Sequence, residues 1–167
     1  MRLLTLRSCT LPLAVSALVA CLHGTAQAQA APAAPAPPKA DADGVILIDG
    51  NTTRDAFTKG RPLIETNGYK IHASRREAPG IAEVHAKDTD ILYILEGTAT
   101  FVTGGTAVDA KTTAPDETRG TRVEGGTART VAKGDIIIIP AGVPHQFKEV
   151  PGPLLYYTVK VPGAAAK

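Results

Sequence analysis

Gly134-Asp135-Ile136-Ile137-Ile138-Ile139-Pro140-Ala141-Gly142-Val143-Pro144-His145 is the stretch on which the fold reading turns. Four β-branched residues in a row predict a buried strand. The segment after Ile139 cannot continue it, because two prolines remove backbone donors and Gly142 permits a sharp reversal. His145 emerges from that reversal beside Gln146 and Phe147, where a new strand is expected. A rigid turn that delivers one imidazole into a β architecture places a metal ligand accurately.

Partners for that histidine lie upstream in Glu83-Val-His85-Ala-Lys-Asp-Thr-Asp90-Ile-Leu-Tyr-Ile-Leu-Glu-Gly97. On a strand, residues i and i+2 point to one face, so Glu83 and His85 converge. Asp90 follows a short polar turn, Ala86 to Thr89, and opens the next strand, Asp90 to Glu96. Together with His145 these residues offer two imidazoles and two carboxylates, a mixed N/O set suited to a divalent first-row metal. Two histidines with one carboxylate also match the facial triad of non-haem iron(II). A further carboxylate adds hardness and negative charge, which favours iron(II) or manganese(II) and leaves zinc(II) open. A strand carboxylate such as Glu83 is equally at home facing solvent, and a lone histidine in a β protein often serves only as a hydrogen-bonding group.

The two stretches resemble the paired motifs of the cupin superfamily. The downstream one has the second motif's spacing: Gly134, five residues, Pro140, one residue, Gly142, two residues, His145. The upstream one resembles the first motif, His-x-His, three or four residues, Glu, six residues, Gly. Asp90 and Gly97 are separated by six residues, which puts Asp90 at the glutamate position, His85 at the second histidine and Glu83 at the first. A rival register, with His85 first and Lys87 second, leaves only two residues before Asp90. The departures are Glu83 for histidine, Asp90 for glutamate, Gly80 only three residues before Glu83, and Glu149 where asparagine is frequent. The resemblance covers residues 80 to 149. It implies an all-β, single-domain, type-2-like cupin: a double-stranded β-helix, or jelly-roll barrel, with Glu83, His85, Asp90 and His145 as metal ligands. It further implies a small-molecule substrate and a homodimer built by edge-strand pairing, for which Val45 to Ile48 is an apolar candidate. Cupins span dioxygenase, isomerase, epimerase and decarboxylase chemistry, and non-catalytic binding proteins use the same cavity, so fold alone selects no reaction.

The rest of the chain sets class and compartment. Arg2 and Arg7 precede an apolar run, Leu11 to Leu22, and then Ala26-Gln-Ala28. That order is a secretory signal with cleavage expected after Ala28 or Ala30, and the run is short for a membrane span. Leu18-Val-Ala-Cys21 also resembles a lipobox, so a periplasmic or secreted soluble form and a form anchored through Cys21 both stand. The Ala/Pro-rich residues 29–43 read as a linker, and residues 162–167 as a tail. Cys9 and Cys21 are the only cysteines, so a mature soluble chain has neither thiol nor disulfide. Lys and Arg number 18 against 16 Asp and Glu; removal of Arg2 and Arg7 leaves the two balanced. A neutral domain with few aromatics and no basic cluster argues against nucleic-acid binding.

Residues 44–161 are one domain's length without internal repeat. Strands are expected at Val45–Ile48, Tyr69–Arg76, Ile81–His85, Thr98–Thr103, Thr121–Glu124, Thr127–Val131, Asp135–Ile139, His145–Glu149 and Leu154–Val161. A helical turn or two is expected at Thr53–Lys59 with Thr53 as cap, and a hairpin across Gly97. Gly104 to Gly126 reads as a long excursion rich in glycine, threonine and charge. His72, Ser74 and Arg76 share strand parity and are weaker candidates for the cavity wall, with Arg76 and Lys87 as holders of an anionic substrate.

Overall fold

A computed structural model describes residues 38–163. The expected signal segment 1–28, the linker residues 29–37 and the tail residues 164–167 lie outside the described residues. Among the described residues no helix is long and apolar enough to cross a membrane.

One helix, α1 (Gly50–Lys59), precedes thirteen strands: β1 (Arg61–Glu65), β2 (Lys70–Arg76), β3 (Ala82–His85), β4 (Asp88–Glu96), β5 (Thr98–Thr103), β6 (Thr106–Ala107), β7 (Lys111–Ala114), β8 (Glu117–Gly120), β9 (Val123–Glu124), β10 (Thr127–Ala132), β11 (Ile136–Ile139), β12 (His145–Glu149) and β13 (Leu154–Pro162). Their first sheet runs β1-β2-β13-β4-β11 and the second β10-β5-β12-β3-β8-β7, with β6 and β9 as a separate ribbon. Every pairing is antiparallel. One cluster of buried side chains joins Leu92, Ile94, Leu154 and Tyr156 of the first sheet to Phe101, Val131 and Phe147 of the second. The sheets therefore pack face to face, each with alternate residues turned inward. A smaller cluster, Ala56, Leu63 and Ala73 with Ile48, Phe57, Ile71 and Tyr157 against it, seats α1 on the opposite face of the first sheet. The all-β double-stranded β-helix expected from the motifs is the architecture found.

Several local expectations are corrected. Val45–Ile48 is not a strand: only Ile48 packs against the helix cluster, and Leu47 is 83% exposed. The helix starts earlier than Thr53, because the Asp49 carboxylate accepts from the Asn51 and Thr52 N–H groups and caps it. Gly97 makes no hairpin. β4 lies in the first sheet and β5 in the second, so Gly97 is the corner at which the chain changes sheets. Its φ of 85°, with a Cβ there falling 2.3 Å from the Pro153 carbonyl oxygen, admits only glycine.

Ile136–Ile139 is a strand but an edge one. Ile139 is buried, while Ile136 and Ile138 are each 65% exposed, because alternate residues of an uncovered edge face outward. Finally, the 104–126 excursion is not a loose loop. β7 and β8 form a hairpin that extends the second sheet beside β3.

Candidate metal centre

Alternation along β3 puts Glu83 and His85 on the inner face, and register brings their neighbours to them. His145, the first residue of β12, sits directly opposite Glu83. One donor atom from each of Glu83, His85 and His145 lies within 4.8 Å of the others. Both histidines are buried, with ring centroids 5.1 Å apart.

The turn before His145 is docked on β3. Gly142, with φ 82°, donates its N–H to the His85 carbonyl at 2.8 Å, and Val143 N–H closes the turn on Pro140 O. His145 Nδ1 is 3.1 Å from the Val143 carbonyl. A carbonyl oxygen only accepts, so Nδ1 carries the proton and Nε2 keeps its lone pair for the cavity. Burial holds the His145 pKa below the ordinary histidine value, with His85 acting in the same direction and the Val143 hydrogen bond, Asp90 and Glu83 opposing it. The imidazole is therefore presented in the neutral form that ligates metals.

Asp90 stands beside this group but outside it. Its Oδ2 is 3.3 Å from His85 Nε2 and 3.9 Å from His145 Nε2. Both its oxygens accept from Lys160 Nζ, at 2.8 and 2.9 Å, across the β13–β4 register that sets the two residues opposite each other. The aspartate charge is thus matched within the protein.

Three neighbours of the site, Glu117, Arg119 and Lys160, were not read from the sequence. Glu117 of β8 lies opposite His85, with Oε1 2.8 Å from Nδ1. The ring N–H direction is not aligned on that oxygen, and Nδ1 counts among the buried polar atoms without a hydrogen-bond partner. Arg119, opposite Glu83, approaches that carboxylate to 3.8 Å. β8 is Glu-Thr-Arg-Gly, with no apolar face to reveal strand periodicity, and only its pairing with β3 makes the alternation visible. Lys160, in contrast, shares parity with Tyr156 and Thr158 in a strand that was expected, and that parity was the available signal.

These groups line a cavity of about 580 Å³ whose other walls include His72, Ser74, Arg76, Phe147 and Tyr156. The donor set fits a divalent first-row ion: a free imidazole lone pair at His145, a second buried imidazole at His85, and one carboxylate at Glu83. The candidates Glu83, His85 and His145 are brought together, Asp90 flanks them, and Lys87 instead pairs with Asp116 at 3.0 Å, a 75%-exposed side chain away from this chamber.

The sequence profile of a family described as Cupin matches residues 45–158. No curated protein sequence matches the chain. Among solved structures, one of a Bacillus halodurans protein is similar at 16% identity and TM-score 0.51, covering 77% of this chain and 89% of that one. A Klebsiella pneumoniae protein with a double-stranded β-helix domain shares 20% identity at TM-score 0.44, over 65% of this chain and 78% of its own. An RmlC-like cupin family protein from Methanocaldococcus jannaschii shares 15% identity at TM-score 0.44, over 62% and 78%.

Proposed function

The chain belongs to the cupin family, and we propose that it is an exported member that holds a divalent metal through Glu83, His85 and His145 and acts on a small molecule in its cavity. The observation that carries this reading is the convergence of those three donors within 4.8 Å on directly paired strands. Iron(II) or manganese(II) suits the set best, and zinc(II) is the alternative. Such an ion, when bound, supplies a Lewis-acid or redox centre, which suits dioxygenase-like or isomerase- and lyase-like reactions.

The protein's own residues do the rest. The Val143 carbonyl fixes the His145 tautomer, and Glu117 flanks His85 on its far nitrogen. Lys160 holds the Asp90 carboxylate in place beside both imidazoles, where it can join the donor set or carry a proton. Phe147 and Leu92 give the chamber apolar wall and exclude water from that side.

Elemental analysis of protein purified without chelators or a histidine tag tests the reading. Near-stoichiometric metal is expected in the parent, with loss in His85→Ala, His145→Ala and Glu83→Ala. Asp90→Ala separates a fourth ligand from a flanking group: loss of metal makes it a ligand. Metal-free parent after anaerobic reconstitution would sink the metal reading.

A second reading, a non-catalytic binding protein, is favoured by one observation: Lys160 occupies both oxygens of Asp90, the acid that flanks both imidazoles. Turnover of candidate substrates by the metal-loaded protein, followed both as oxygen uptake and as substrate loss, distinguishes the two. The proposal also includes export, checked by mass spectrometry of the mature N-terminus, where Gln29 or Ala31 means a soluble form and diacylated Cys21 a lipoprotein. It includes a homodimer as well.

A further inference from the structure

We propose that Arg76 binds the carboxylate of the cavity's ligand, which makes that ligand a small organic acid with an apolar body. The inference rests on the reading that the cavity is the binding chamber, and it does not depend on the metal.

Arg76 ends β2 on the same face as His72 and Ser74 and lines the chamber. The other basic side chains named from its lining are answered from within the protein. Lys160 pairs with Asp90 at 2.8 Å, Arg119 approaches Glu83 at 3.8 Å, and His72 contacts Glu65 at 2.8 Å. Arg76 pairs with no acidic side chain among the described residues, and its buried Nε has no hydrogen-bond partner. A guanidinium turned into a partly enclosed space without a counter-charge is a site for one, because desolvating an unpaired charge is costly.

The local construction holds the group in position. Its Cζ lies over the Phe147 ring, 5.0 Å from the centroid. Gly80 leaves it room, since a Cβ there would fall 2.6 Å from Nη1. Tyr156 stands in the same chamber as a phenol donor; burial raises its pKa, with the Arg76 charge opposing, so the hydroxyl keeps its proton.

A planar fork beside a phenol hydroxyl suits a carboxylate, which takes two parallel N–H bonds. The size and apolar walls of the chamber, with Phe147, Ile81 and Leu92, call for carbon attached to that anion. A bare inorganic anion would leave those faces unfilled.

The test uses the full chain stripped of metal with chelator. Calorimetric titration compares benzoate with its neutral near-isostere benzamide. Phenylglyoxal labelling, read by peptide mass spectrometry at Arg76, is run with acetate, succinate, benzoate or inorganic phosphate present.

Benzoate is expected to bind at least tenfold more tightly than benzamide and to slow labelling of Arg76. Arg76→Met should remove the benzoate preference, and Arg76→Lys should retain part of it. If Arg76→Met does not fold, the labelling of the parent decides. Equal binding of benzoate and benzamide, no protection by any carboxylate, or protection by phosphate equal to that by benzoate would each overturn the proposal. Metal content of the same preparations before stripping reports on the metal reading separately.

Discussion

His85 lies between two carboxylates, Glu117 near Nδ1 at 2.8 Å and Asp90 near Nε2 at 3.3 Å. Glu117→Gln keeps the shape and removes the charge. It is expected to weaken manganese(II) binding about 10- to 100-fold while leaving the circular dichroism unchanged; unchanged affinity would remove Glu117 from the site. His145 makes a pH prediction for the metal-free protein. Its pKa lies below the ordinary 6.5 chiefly through burial, with Asp90, Glu83 and His85 facing it. The unfolded chain therefore takes up this proton first as pH falls. Stability should be flat above 6.5 for this group and fall below it, by at most about 1.4 kcal/mol per pH unit, until the folded value is passed. Denaturant titrations from pH 7.5 to 5.0 check the sign, and His145→Gln should flatten the slope. At this scale Glu83, His85 and His145 were legible because i,i+2 parity and a proline-glycine turn are local signals. The ion pair of Asp90 was not, because Lys160 is 70 residues away and meets it only through strand register.

The elements divide by the same rule. Strands with an apolar inner face, such as β4, β5 and β13, were read close to their observed bounds. β7 and β8 were missed because neither carries more than a trace of apolar periodicity; their partner β3 makes them strands. The pairing of β4 was misread at Gly97 for a related reason. A glycine between two strands looks the same whether the chain folds back or changes sheet, and only the closeness of Pro153 reveals the corner. Gly97→Ala is therefore expected to cost about 2–4 kcal/mol, from strain at positive φ and from collision with backbone that cannot swing aside. Chemical denaturation gives the value. A loss below about 1 kcal/mol would mean that the corner relaxes easily.

For the whole molecule, the proposed homodimer has a more suitable face than Val45–Ile48, which forms no strand. β11 is one of the two edge strands of the first sheet, and it carries exposed Ile136 and Ile138 next to half-exposed Tyr93. Ile136→Lys with Ile138→Lys should convert a dimer to monomer in sedimentation. Removal of residues before Gly50 should then have little effect, and the opposite pattern would return the interface to the N-terminal segment. The order of strands in the first sheet has a different kind of consequence. β13, the last strand among the described residues, lies in the middle, between β2 and β4. During synthesis the ribosome delivers the central strand last, so a nascent chain halted before Leu154 has two unmatched edges and no Lys160 opposite Asp90. Closure of this sheet therefore requires the chain as far as β13, and any shorter fragment leaves its core open.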